Sequence, residues 1–291
     1  MSIIMNAKEW LEKAKDEGFA IGAFNVDNLE IFKAVVAAAK NKKSPVIVEF
    51  SDSEAKYFGL ANIVDLVQNA RETEGVSLFL NLDHGPDKEN VEAAIDAGFE
   101  MVHFDGAKKP YEENLRITKE IVPLAHEKGL TVEAEIDHIA GSSTVHKEQI
   151  TIEEIKQGFT NPERAKKFVG ETGIDIYAAF FGNVHGVFPI MPKVDLELLK
   201  KIREVLPNTF LSMHGGSGIS DEQVRQAIQV GGVVKININT ELRQAFRVSL
   251  EKALRENPDE YAVYKIMPAV ISAIQSVVEH KIDIFGSGGK A

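Results

Sequence analysis

The sequence predicts an α/β protein folded as a (β/α)8 TIM barrel. Eight short apolar runs with strand character each precede a stretch of helical periodicity, as a closed ring of parallel strands requires. Polar and ionisable residues collect at the ends of those runs, where such a barrel opens onto one face. No Pro- or Ser-rich linker and no low-complexity segment interrupts the pattern. Residues 1–291 are therefore expected to form one barrel domain with an N-terminal helix and a C-terminal helical extension.

The first element is a helix, because "MSIIMNAKEWLEKAKDEG" alternates charged and apolar residues at helical spacing. "FAIGAFNV" (19–26) reads as the first strand, and the amphipathic run that follows is a helix capped by Asn28. Strand-then-helix pairs recur at 45–51 with 61–72, 77–85 with 87–97, and 101–106 with 111–128. The fifth strand, 131–136, is followed by a polar interruption at 137–161 and then a helix near 162–172. A loop of that length on the catalytic face is expected to be a lid or a wall of the site. Strands at 175–181, 210–215 and 233–239 precede helices near 195–205, 221–230 and 241–255, and a last helical region covers 259–281.

Composition narrows the function. With 33 Lys plus Arg against 44 Asp plus Glu, the formal charge of −11 argues against nucleic acid or an anionic membrane as partner. Cysteine is absent, so disulfides and thiolate metal sites are excluded and a reducing cytoplasm is the expected location. No apolar run approaches the roughly 18 residues of a membrane span.

The strand ends carry Asn25, Ser51, Asp83 with His84, Asp105, Glu135, His185, His214, and Asn237 with Asn239. In "LFLNLDHG" a buried strand ends in an acid, a base and a glycine, which a structural strand does not need. Asp83 can handle a proton while His84 takes a metal; the plainer alternative makes Asp83 the cap of the helix near Pro86. Three of the eight histidines, His84, His185 and His214, fall at these ends and suit an open divalent site. His103 inside its strand, His126 and His280 on helices, and His138 and His146 in the long loop are weaker candidates. "HGGSGIS", with Ser220 as a helix cap, and "NINTEL" place glycines, Ser217, Asn239 and Thr240 at adjacent turns where backbone N–H groups bind phosphate.

These motifs resemble the class II, metal-dependent fructose-bisphosphate aldolase family. "GAFNV", "NLDHG", "GNVHG", "HGGSGI", "KININTELR" and "KIDIFGSGGKA" follow that family's order over nearly the whole chain. The resemblance implies a catalytic zinc ion on His84, His185 and His214, with Asp105 and Glu135 supporting it or a further metal or monovalent-cation position. It implies that Asp83 exchanges the C4 hydroxyl proton, that Asn237 meets the ketose carbons, and that Asn25 and Ser51 are substrate contacts. Gly186, Gly215, Ser217, Asn239 and Thr240 match phosphate-binding turns. The implied reaction is cleavage of a ketose 1,6-bisphosphate, fructose or the related tagatose form, by a homodimer or homotetramer.

Two cationic positions depart from the family pattern. The run after His185 is Gly186, Val187, Phe188, Pro189 where the family has Gly-x-Tyr-Lys, and Val270 stands where it has an arginine. Two other readings compete. Lys235 shares strand parity with Asn237, which would allow a Schiff-base aldolase, although an ion pair suits that position better. A sugar-phosphate binding module without turnover is the reading from another class.

Overall fold

The computed structural model describes residues 5–291. Eight parallel strands close into a barrel: β1 (Ile21–Asn25), β2 (Val46–Ser51), β3 (Leu78–Gly85), β4 (Met101–Asp105), β5 (Thr131–Glu135), β7 (Ile176–Ala178), β9 (Phe210–Met213) and β10 (Val233–Ile238). β10 pairs back onto β1, with Ala23 opposite Asn237. All eight predicted runs are strands, and the sixth is shortened to three residues. Asn28 and Ser220 cap helices α2 (Leu29–Lys42) and α10 (Asp221–Gly231) as expected.

Side chains alternate along each strand, so every second residue fills the barrel in layers. The bottom layer is apolar: Ile21, Ile47, Phe79, Met101, Ile176 and Phe210 are buried together. Helix α1 (Ala7–Glu17) closes that end by inserting Trp10, Leu11 and Ala14 into the same cluster. Its helix begins with a capping box, Asn6 with Glu9, and ends at Gly18 in the left-handed conformation. One layer up the filling becomes polar: Glu49 lies opposite Asn81 and His103 opposite Glu133. The top layer, two residues further along each strand, is the rim with Ser51 opposite Asp83 and Asp105 opposite Glu135.

Two features go beyond the predicted elements, while the helices expected near 241–255 and over 259–281 are present. A short helix, α3 (Asp52–Phe58), follows β2 directly, with Ser51 and Glu54 as its capping box. The long loop holds a strand, β6 (Gly141–Val145), paired with β8 (His185–Val187), and a helix, α7 (Ile152–Gln157). At the C-terminus, α11 (Thr240–Glu256) and α12 (Val263–Phe285) are consecutive helices; the N–H groups of Gly289 and Ala291 bond the carbonyls of Lys42 and Lys43 at 2.8 and 2.9 Å. No described helix is long and apolar enough to cross a membrane.

Candidate active site

All the residues singled out at strand ends and turns line one cavity of about 430 Å³ at the rim. Regular alternation would send Asp83 and His84 to opposite faces of β3. The strand avoids this with a register shift against β4 between Leu82 and Gly85, and His84 adopts φ 49°. Such a bulge re-aims side chains at a cost of about 1–2 kcal/mol for a non-glycine residue. His103 Nδ1 accepts the His84 backbone N–H at 3.3 Å, which holds the bulge in place. Asp83 is not a helix cap: Asp87 caps α5 (Lys88–Ala97) by accepting from the Asn90 N–H.

The imidazoles of His84, His185 and His214 converge, with ring centroids 4.6, 5.2 and 5.9 Å apart. His84 Nδ1 lies 2.9 Å from Asp105 Oδ2 and 3.2 Å from Glu135 Oε1. His214 Nε2 lies 2.8 Å from Glu133 Oε1. Both nitrogens must donate to these carboxylates, so His84 Nε2 and His214 Nδ1 turn lone pairs toward each other across 2.9 Å. Such a pair needs positive charge between it, supplied by a proton on His84 or by a metal ion. The donor set therefore fits a divalent cation with nitrogen preference. Asp83, His84, His103 and His214 each offer a ligand atom within 4.8 Å of the others, and His84, Asp105 and Glu135 form a second such group.

Charge in the cluster is strongly coupled. Burial alone would raise the Asp83 carboxyl, but His84, the polar ring of His103, His214 and the Lys235 ammonium outweigh it and hold Asp83 well below the usual range. Burial would lower His84; Asp83, Asp105 and Glu135 overcome this and hold it well above. Burial and the neighbouring His84 and His214 push His185 well down, which leaves a neutral ring with a free lone pair. Asp83 is further fixed by amide donors from Asn25 at 3.0 Å and Asn237 at 3.1 Å.

His185 is placed by Asn183, whose side chain bonds Ala179 and His214 carbonyls at 3.1 Å and the Phe181 N–H at 2.9 Å. The phosphate-type turns lie on the β9 and β10 side. Gly215 has φ 62°, and a Cβ there would meet the Val184 carbonyl at 2.2 Å, so glycine is required. Asn239 does not cap helix α11 and its Oδ1 is buried without a partner, while Ser217 Oγ accepts the Glu241 N–H of the first turn at 3.3 Å.

Several cavity residues were not singled out in the sequence. His103 lies fully buried beneath the cavity with its ring 4.6 Å from that of His84, and its shared parity with Asp105 is the signal for that inward position. Arg243 lines the wall, bonding Asp27 at 2.8 Å and Glu54 at 2.6 Å. Lys108 and His138 also face the cavity. Lys193 is exposed and outside it, and Val270 is buried in the core. Lys235 is fully buried against Glu49 and Glu133 and does not reach the cavity, which removes the Schiff-base alternative.

Comparisons with known proteins agree with this geometry. The family model described as fructose-bisphosphate aldolase class-II matches residues 5–290. The fructose-bisphosphate aldolase of Streptococcus pneumoniae is 40% identical over 301 positions, covering 99% of each chain. That of Geobacillus stearothermophilus is 38% identical over 293 positions with the same coverage. The crystal structure of the YdjI aldolase from Escherichia coli K12 matches at TM-score 0.83 and 31% identity, over 99% of this chain and 100% of that one. With its fold, its cation-ready histidine cluster and its full-length relatives in agreement, the chain belongs to the class II fructose-bisphosphate aldolase family and is an aldolase, a carbon–carbon lyase.

Proposed function

We propose that the enzyme reversibly cleaves fructose 1,6-bisphosphate to dihydroxyacetone phosphate and glyceraldehyde 3-phosphate, with Asp83 as proton carrier. The observation that carries this reading is the bulge that turns Asp83 and His84 into one cavity with His185, His214 and Asn237. In cleavage, the Asp83 carboxylate takes the C4 hydroxyl proton as the C3–C4 bond breaks. C4 becomes the aldehyde, and the bonding pair passes toward C2 to give the enediolate, which leaves as dihydroxyacetone phosphate once a proton from solvent is added at C3. In condensation Asp83 returns the proton. Its depressed pKa and its two amide donors keep it ionised and aimed.

A zinc ion held by His84, His185 and His214 would supply Lewis-acid stabilisation of the negative charge on that product. Asp105 and Glu135 orient the His84 ring through Nδ1, and their carboxylate oxygens offer a further cation position beside it. Asn237 donates toward the reacting carbons. Gly186, Gly215, Ser217, Asn239 and Thr240 bind one phosphate through backbone donors at the start of α11. Ser51, Asn25 and the Arg243 guanidinium lie on the β1 and β2 side, where the second phosphate is received. A homodimer or homotetramer is supported by exposed Tyr261, Val263 and Tyr264 at the start of α12.

Coupled turnover of fructose 1,6-bisphosphate, tagatose 1,6-bisphosphate and fructose 1-phosphate tests the reading. Fructose 1,6-bisphosphate is expected to react fastest, with activity abolished by a chelator and restored by zinc. Tight binding with no triose phosphate released would instead establish a binding module, and a preference for tagatose would reassign the sugar.

A further inference from the structure

We propose that Lys235 is a positioning residue of the aldol site: it dictates which end of the Asn237 carboxamide faces the reacting carbons. The proposal rests on the reading of Asn237 as a substrate contact. Strand β10 places Lys235 two residues below Asn237 on the same inner face, in the polar layer under the rim. The lysine is fully buried and does not line the cavity, so it acts on the substrate only through its neighbours.

An ammonium has three donors and no acceptor. The ammonium of Lys235 donates to Asn237 Oδ1 at 2.8 Å and is ion-paired with Glu133 Oε2 at 3.0 Å and Glu49 Oε2 at 3.3 Å. The first contact forces the Asn237 oxygen downward and its nitrogen up. There Nδ2 donates to Asp83 Oδ1 at 3.1 Å, lies 3.4 Å from His214 Nδ1 and borders the cavity, where negative charge develops during cleavage. A flipped carboxamide would set its oxygen against the Asp83 carboxylate and its NH2 group against the ammonium, and both contacts repel.

The ammonium cannot follow such a flip, because its other two partners are themselves tied. Glu49 accepts from Asn81 Nδ2 at 3.0 Å. Glu133 accepts from Ser212 Oγ and from His214 Nε2, the latter at 2.8 Å. Lys235 thus links Asn237 and the His214 tautomer to one fixed charge below the floor of the cavity.

The test is a double-mutant cycle on fructose 1,6-bisphosphate turnover, with zinc content measured for each protein. Asn237→Ala is expected to lower kcat about 100-fold, the scale for losing one donor to developing negative charge. Lys235→Met should lower kcat by a similar factor with KM within about threefold and zinc retained, and the double variant should be little worse than either single one. Losses that multiply in the double variant, or wild-type kcat in Lys235→Met beside an impaired Asn237→Ala, would overturn the positioning role alone. Wild-type kcat in Asn237→Ala would instead overturn the reading of Asn237. If circular dichroism shows that Lys235→Met does not fold, Lys235→Gln replaces it. Its carboxamide can offer Asn237 either an oxygen or a nitrogen, so it no longer imposes one orientation.

Discussion

His84 combines two roles that pull in different directions. Its ring is aimed by Asp105 and Glu135, while its backbone sits at φ 49°, where a Cβ is strained. Replacing it by glycine removes the strain and by alanine does not, although both delete the imidazole. His84→Gly is therefore expected to be more stable than His84→Ala by about 1 kcal/mol in thermal unfolding, with both inactive. Equal stabilities would mean that the left-handed turn is not strained. Asp83 gives a complementary expectation: Asp83→Ala keeps its zinc and loses cleavage by about 100-fold or more. Wild-type rates would exclude it as the proton carrier. The pairing of these two residues was only half legible in the chain. An acid and a base at a strand end were visible in "NLDHG", but period-two alternation separates them, and the bulge that reunites them depends on His103 from the next strand.

At the scale of elements, strands and helices were legible because each is a local matter of apolar spacing, caps and glycines. The β6–β8 pair was not, since "GSSTV" is polar and exposed and finds its partner in a loop. Arg203 shows how helices are joined to the barrel. Its guanidinium, from α9 (Leu196–Val205), donates to the carbonyls of Leu206, Thr209, Gly231 and Gly232 at 2.7–3.1 Å. Burial lowers its pKa to about 10, yet it remains charged at neutral pH. Arg203→Met leaves these carbonyls without their donor and should cost about 2–4 kcal/mol in denaturant unfolding. A loss under about 0.5 kcal/mol would show that water replaces the guanidinium freely. Helix α1 offers a second test at this scale. Trp10→Ala opens the bottom layer and should cost about 3–5 kcal/mol while leaving kcat unchanged wherever the protein stays folded.

Across the whole molecule, the barrel interior is divided: an apolar floor sealed by α1, a polar middle layer, and a rim that does the chemistry. The rim could be read from strand ends alone. The middle layer could not, because Glu49, Asn81, His103, Glu133 and Lys235 come together only once the ring closes, and even then Glu49 Oε1, Asn81 Oδ1, His103 Nε2 and Glu133 Oε2 keep no hydrogen-bond partner. Burial and the Asp83 charge push Glu49 up to about 8, so the folded state keeps a proton that the unfolded chain releases near pH 4.5. This group makes stability fall as pH rises from about 4.5 to 8. Glu49→Gln removes that dependence, so it should flatten this part of the stability profile and gain on the wild type toward pH 8. An unchanged slope would place the titration elsewhere.

The central claim is that three imidazoles remote in sequence grip one divalent ion. Zinc stoichiometry, measured on chelated and reloaded wild type beside His84→Ala, His185→Ala and His214→Ala, tests it most directly. One ion per wild-type chain and little in each variant is the predicted result; full occupancy in all three variants would contradict it.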